Sequence, residues 1–420
     1  MDVFDLRKRL VEDYQRYTRS FIKIGDLRIS AFVDETLESG AFWPEPLLQL
    51  NPTFQPGGKV DELVESGALH PECRRIFRID KTEQDAVGKD LLLHYHQREA
   101  ILKAKEGKSY VLTSGTGSGK SLTYIVPIVD HVLRKGSGQG IQAIVVYPMN
   151  ALANSQADEL TKFINRGYPD GQAPVRFARY TGQEKGPERE LIRSNPPDIL
   201  LTNYMMLELM LTRAEDRQLV KAAQGLRFLV FDELHTYRGR QGADVALLIR
   251  RCRNAFGDAN TICVGTSATM SSEGNSTDQK RAVAKVAAGL FGTGFTPDQV
   301  IGETLERATP EVDASASSVR AQLKEAVERD DAIPDAYSSF SASPMASWIE
   351  STFGVCKEAE TGRLVRQRPR RLRGEAYENT TSAAAELAEI TGAPVDRCAT
   401  FLQRYLNRGS QLRRLSLIHI

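Results

Sequence analysis

At 420 residues the chain is long enough for two or three domains with cores of their own. Charged residues make up 26% and hydrophobic ones 41%, the ordinary balance of a soluble globular protein, and a net charge of +1 excludes a whole-molecule basic field, so any nucleic-acid surface has to be local. The five cysteines are scattered without a Cys-x-x-Cys pair, which argues against a zinc site or a disulfide framework in this stretch and suits a reducing cytosol. Met1 to Tyr14 is charged throughout with no signal-peptide core, and no apolar run approaches membrane-spanning length. The expectation is a cytoplasmic protein with no membrane partner.

In chain order, residues 1–87 mix helical pattern with Pro and Gly punctuation, as in Trp43-Pro44-Glu45-Pro46 and Pro56-Gly57-Gly58, and read as an accessory N-terminal region. From Gly88 short apolar runs recur, each followed by an amphipathic segment: Ser109–Thr113, Ala143–Tyr147, Val175–Tyr180, Asp198–Thr202, Phe228–Phe231 and Thr261–Thr266. Strands alternating with helices imply an α/β lobe, a parallel sheet flanked by helices, over residues 88–308. Gln279–Phe291 reads as one more helix and Val300-Ile301-Gly302 as a last strand. Residues 309–414 shift to Ala, Ser, Glu and Arg with Pro breaks, a mainly helical linker or inserted region.

Tyr110-Val111-Leu112-Thr113-Ser114-Gly115-Thr116-Gly117-Ser118-Gly119-Lys120-Ser121 is an apolar strand, a glycine-rich turn and a Lys-Ser that opens a helix. Glycines let backbone N–H groups curl around a phosphate with no Cβ in the way, and a helix starting near Gly119 adds its positive end. Thr116, Gly117, Ser118, Gly119, Lys120 and Ser121 are therefore the expected phosphate cradle for ATP. Lys120 would reach the β- and γ-phosphates and Ser121 would ligate Mg²⁺. Ser114 stands where the general pattern has its first glycine.

Leu229-Val230-Phe231 leads into Asp232-Glu233-Leu234-His235. Acids at the end of a buried strand beside a phosphate loop can hold a metal and a water. Asp232 would bind Mg²⁺ through its water shell, Glu233 would orient and deprotonate the attacking water, and His235 would sit at the edge of the site.

With loop and tetrad in this order, the chain resembles superfamily 2 helicases of the DExH type. That resemblance implies a RecA-like P-loop NTPase lobe and gives the other motifs meaning. Tyr95-His96-Gln97 resembles the adenine-recognising motif, with Gln97 the candidate. Tyr147-Pro148-Met149-Asn150-Ala151-Leu152-Ala153 resembles the first strand-backbone contact motif, and Thr181-Gly182 and Thr202-Asn203 occupy the next two contact positions. Pro148, Asn150, Thr181, Gly182, Thr202 and Asn203 are thus the implied nucleic-acid contacts, although many relatives carry Lys where Asn150 stands. Ser267-Ala268-Thr269 resembles the motif coupling hydrolysis to strand movement, with Ser267 and Thr269 reaching the acidic tetrad. The tail Thr236-Tyr237-Arg238-Gly239 is similar to helicases of the mitomycin repair factor A type, whose wider group includes the DISARM phage-defence helicase. That group implies DNA as the nucleic acid and repair- or defence-system proteins as partners.

The Arg363–Arg373 run reads either as phosphate contacts or as a solvated linker. No second α/β rhythm follows Ala308. The resemblance implies a second RecA lobe of the same parent chain carrying arginine fingers, worth about 10³–10⁵ in rate in related systems. Residues 415–420 resemble translated adapter sequence and are expected not to belong to the natural protein. Helicase or translocase is the leading reading. Its alternatives are a double-stranded DNA translocase that does not unwind, or a fragment that binds ATP and nucleic acid without turnover. A transporter ATPase would need a Leu-Ser-Gly-Gly-Gln-like signature between loop and tetrad, which is absent.

Overall fold

The computed structural model describes residues 2–21, 23–38, 43, 45–82, 85–115, 117–169, 172–268, 276–329 and 333–412. The chain forms two compact units: residues 54–304, and residues 1–53 together with 305–420.

The first unit is built on seven strands: β1 (Tyr110–Thr113), β2 (Ala143–Tyr147), β3 (Phe177–Tyr180), β4 (Ile199–Asn203), β5 (Leu226–Phe231), β6 (Gly257–Ser267) and β7 (Val300–Gly302). They pair in the order β7-β1-β6-β5-β2-β4-β3, every neighbour parallel. The helices that matter here are α1 (Tyr95–Lys105), α2 (Leu122–Lys135), α3 (Asn150–Leu160), α4 (Gly186–Ser194), α5 (Tyr204–Thr212), α6 (Gly239–Phe256) and α7 (Ser276–Phe291).

Successive side chains of a strand point to opposite faces, so strands covered on both sides must be apolar at every position. In β2, Ala143, Val145 and Tyr147 join the core under α1, α2 and α3, while Ile144 and Val146 join the opposite core under α5, α6 and α7. The unbroken apolar runs of the sequence have this cause. Strand β6 begins at Gly257, earlier than the apolar run that announces it, and its register against β5 shifts between Leu226 and Phe228.

The expected boundary at residue 87 differs from the one observed. Pro56–Lys59 pairs antiparallel with Leu92–His94, and Val60, Leu63, Cys73, Ile76 and Phe77 share the core of α1 and α2. The buried Lys81 amine donates to the carbonyls of Ile76, Phe163 and Arg166 at 2.9, 2.5 and 3.0 Å. The last two of these bonds link segments more than eighty residues apart, which local periodicity cannot register.

In the second unit, Leu48, Leu50, Trp348, Phe353, Leu387, Phe401 and Tyr405 form one core. Helices Ser317–Glu328, Pro344–Phe353, Ala383–Thr391 and Val395–Gln411 supply most of it, and Leu47–Leu48 pairs with Arg370–Arg371. The arginine run is not a solvated linker. Leu364–Arg366 pairs with Val355–Lys357, and Arg370, only 8% exposed, donates to Glu386 Oε2 at 2.7 Å and to the Thr381 carbonyl at 2.6 Å. Arg370 is thereby removed from the candidate phosphate contacts. The proposed tail, residues 415–420, lies outside the described residues. No described helix is long and apolar enough to cross a membrane.

Candidate functional site

Parallel strands β1, β5 and β6 deliver their C-terminal ends side by side, and the loop and the acids sit there. Gly117 and Gly119 have φ of +78° and +67°, a region where glycine is at home and other residues are strained. A Cβ on Gly119 would lie 2.4 Å from Gln97 Nε2. Ser121 is the N-cap of α2, which starts at Leu122, later than the expected Gly119. Ser114, standing for the usual glycine, braces the loop. Its hydroxyl lies 2.6 Å from that of Ser118 across the turn, and its N–H donates to the Ser267 carbonyl at 3.1 Å. Lys120 Nζ lies 3.3 Å from the Ser114 carbonyl and 3.7 Å from Glu233 Oε1. Thr116 and Thr269 lie outside the described residues.

Asp232, directly after β5, is 8% exposed. Burial pushes its carboxyl up to about 6, the Glu233 charge adds to that rise, and the Thr266 hydroxyl and the Lys120 charge oppose it. Glu233 has φ of +53°, a left-handed conformation that costs energy in a residue other than glycine. Its Oε2 is buried without a hydrogen-bond partner among the described residues, although His235 Nδ1 lies 3.2 Å away outside bonding geometry. His235 Nδ1 is also 3.2 Å from Ser267 Oγ. The structure therefore brings Lys120, Asp232, Glu233, His235 and Ser267 together. A buried carboxyl pushed up in this way gains when a cation sits beside it. Mg²⁺ is held through one or two carboxylates plus phosphates and waters, so a lone buried carboxylate such as Asp232 suits such an ion without a protein cage.

Thr266, unmarked by any sequence motif, bridges the two acids: its hydroxyl donates to Asp232 Oδ1 and accepts the Glu233 N–H at 3.1 Å. Glu303, just past β7, accepts the Gly115 N–H at 3.2 Å. Neither carried a motif signal. A β-branched hydroxyl residue directly before Ser267 was the only clue to Thr266.

Gln97 is nearly buried, at 2% exposure, and its amide is engaged by the chain. Oε1 accepts the His94 N–H at 2.8 Å and Nε2 donates to the Gly119 carbonyl at 2.9 Å. In this structure Gln97 braces the loop from below.

The six nucleic-acid candidates lie at the ends of β2, β3 and β4, and most are also engaged. Glu184, 7% exposed, accepts the Thr181 N–H, the Thr181 hydroxyl and the Gly182 N–H at 2.9, 2.8 and 2.9 Å. Burial, the largest single influence on its carboxyl, acts upward, yet these bonds together hold it below the usual range. Asn203 Nδ2 donates to Asn150 Oδ1 at 2.6 Å and to the Thr181 carbonyl at 3.0 Å, while Oδ1 caps α5 by accepting the Met206 N–H at 2.8 Å. The Thr202 hydroxyl, buried, donates to the Tyr180 carbonyl at 2.6 Å. Pro148 is half-buried in the turn between β2 and α3. Asn203, half-buried, and the buried Thr202 thus tie the three turns to one another.

An all-parallel sheet with a Gly-Lys-Ser loop after one strand and an acid pair after the second strand over defines a RecA-like P-loop NTPase lobe. Residues 94–277 match the model of the DEAD/DEAH box helicase family. The chain is 32% identical over 182 residues to the uncharacterized ATP-dependent helicase YprA of Bacillus subtilis, covering 42% of this chain and 23% of that protein. It is 24% identical over 386 residues to the Druantia protein DruE of Escherichia coli, covering 64% of this chain and 20% of the other. The solved DUF1998 helicase MrfA bound to DNA and AMPPNP aligns with 22% identity and a TM-score of 0.46, over 69% of this chain and 38% of that one. The chain spans about a fifth to a quarter of the length of these two curated relatives.

Proposed function

We propose that this chain is the ATP-binding first motor lobe of a DNA helicase or translocase of superfamily 2, serving repair or phage defence. The observation that carries the proposal is the convergence of Lys120 Nζ, Glu233 Oε1 and the buried Asp232 at the ends of strands of one sheet, with Lys120 and Glu233 3.7 Å apart. In this reading the loop N–H groups and Lys120 hold the phosphates of ATP. Ser121 and, through an intervening water shell, Asp232 would hold Mg²⁺, which would supply charge neutralisation. Glu233 orients and deprotonates the attacking water, and Ser267 and His235 link that acid to the loop. Pro148, Asn150, Thr181, Gly182, Thr202 and Asn203, at the ends of β2, β3 and β4, form the face toward the nucleic-acid backbone, the buried Thr181 and Thr202 by shaping it. The second lobe of the same parent chain would supply the arginines.

A nucleotide titration in the presence of Mg²⁺ tests the reading directly. Lys120→Ala is expected to weaken binding of a fluorescent ATP analogue by at least about a hundredfold, the loss of a charge-assisted contact in a partly buried site. Equal affinity of the two proteins would refute the loop assignment.

A further inference from the structure

His96 lies directly under the phosphate loop, fully buried, beside Gln97 in the first turn of α1. Its Nε2 is 2.9 Å from the Ser118 carbonyl oxygen. A carbonyl only accepts, so Nε2 carries the hydrogen. Burial, the largest influence, holds the imidazole down at about 4, so the ring is neutral near pH 7 and has one hydrogen to give. The other nitrogen, Nδ1, is buried with no hydrogen-bond partner among the described residues. An unpartnered buried acceptor is destabilising, and a phenyl ring in the same aromatic packing against Phe54 and His94 would avoid that cost. As packing alone, the imidazole is the poorer side chain for this position; what it adds is the bond to Ser118.

That bond acts at a decisive point. Two successive loop carbonyls, of Ser118 and Gly119, are held by two successive side chains, His96 and Gln97, at 2.9 Å each. A peptide plane whose carbonyl is fixed on one side must present its N–H on the other. The planes 118–119 and 119–120 carry the N–H groups of Gly119 and Lys120, two of the donors a phosphate needs. The Ser118 hydroxyl is held as well, 2.6 Å from that of Ser114. A glycine-rich loop has little intrinsic preference for one peptide orientation, so an outside anchor is what selects it.

We propose that His96 is a positioning residue for the phosphate-binding loop, fixing the Ser118 carbonyl so that the following amides face a nucleoside triphosphate. The proposal rests on the nucleotide-binding reading of the loop. It acts through Ser118, with no contact between His96 and the nucleotide.

The test compares His96→Phe, which keeps a ring and loses the donor, with His96→Gln, which keeps a donor of similar reach. A fluorescent ATP analogue with Mg²⁺ is titrated into each, and Tm is measured without nucleotide. His96→Phe is expected to bind about tenfold more weakly while its Tm is unchanged or higher, and His96→Gln to stay within about threefold of the parent. Parental affinity in His96→Phe, or equal weakening in both variants, overturns the proposal. Should His96→Phe fail to fold, His96→Gln decides alone: retained affinity supports the role and lost affinity removes it. A parent chain binding no better than Lys120→Ala would remove the nucleotide reading itself, and this role with it.

Discussion

The ends of β1, β5 and β6 hold Lys120, Asp232 and Glu233, and those of β2, β3 and β4 hold Asn150, Thr181 and Asn203. In the first group the polar atoms are under tension: Asp232 is pushed up to about 6 by burial, and Glu233 has a left-handed backbone and a buried oxygen without a hydrogen bond among the described residues. In the second group Asn203 satisfies Asn150, Thr181 and Met206 at once, and Glu184 satisfies Thr181 and Gly182. The two acids that must act on a charged ligand sit in poorly satisfied surroundings, while groups that shape a surface are bonded to one another. Stability and function should therefore separate at the nucleotide end and move together at the other.

The largest effect is expected at Glu233. In a parent chain that carries the second lobe, Glu233→Gln removes a base and keeps the shape, so ATP turnover should fall by about 10²–10⁴ with nucleotide affinity retained. Unchanged kcat would take Glu233 out of its role and weaken the contrast between the two ends.

Next comes Asp232. Its folded carboxyl is raised from 3.8 to about 6, so the charged form is disfavoured by folding and costs stability at every pH above that value. The cost fades as pH falls through 6 toward 4 and is gone below the unfolded value. Asp232→Asn keeps an acceptor for Thr266 and should raise the stability of the apo chain by roughly 2–3 kcal/mol at pH 7, with little gain at pH 4, while Mg²⁺-dependent nucleotide binding weakens. Chemical denaturation at the two pH values measures this. A destabilised Asp232→Asn at pH 7 would show that the carboxylate is satisfied after all, and the two ends would then be alike.

The smallest effect belongs to Asn203. Asn203→Ala removes a helix cap and two side-chain bonds and should destabilise by about 1–3 kcal/mol, with nucleic-acid affinity falling in parallel and ATP-analogue affinity unmoved. Lost nucleic-acid affinity at full stability would mark Asn203 as a direct contact and sharpen the contrast in the opposite direction.

What was legible along the chain was whatever is written in neighbouring residues. The Gly-Lys-Ser loop, the Asp-Glu at the end of an apolar run, and the strands themselves are local patterns, because a strand buried on both faces must be apolar throughout and a phosphate turn must carry glycine. Even Val300–Gly302, three residues long, was readable as a strand. The tertiary structure alone decided how these pieces use one another. It put Thr266 between Asp232 and Glu233, His96 and Gln97 under the loop, Glu184 on the amides of Thr181 and Gly182, and Val60, Leu63, Cys73, Ile76 and Phe77 into the core of the sheet. Of these, the Thr266, His96 and Gln97 bonds and the packing of Val60 to Phe77 join segments far apart in the chain, and the Glu184 bonds depend on a turn whose closure only packing selects. The physical reason is that a hydrogen bond depends on distance in space, while periodicity and motif report only distance along the chain.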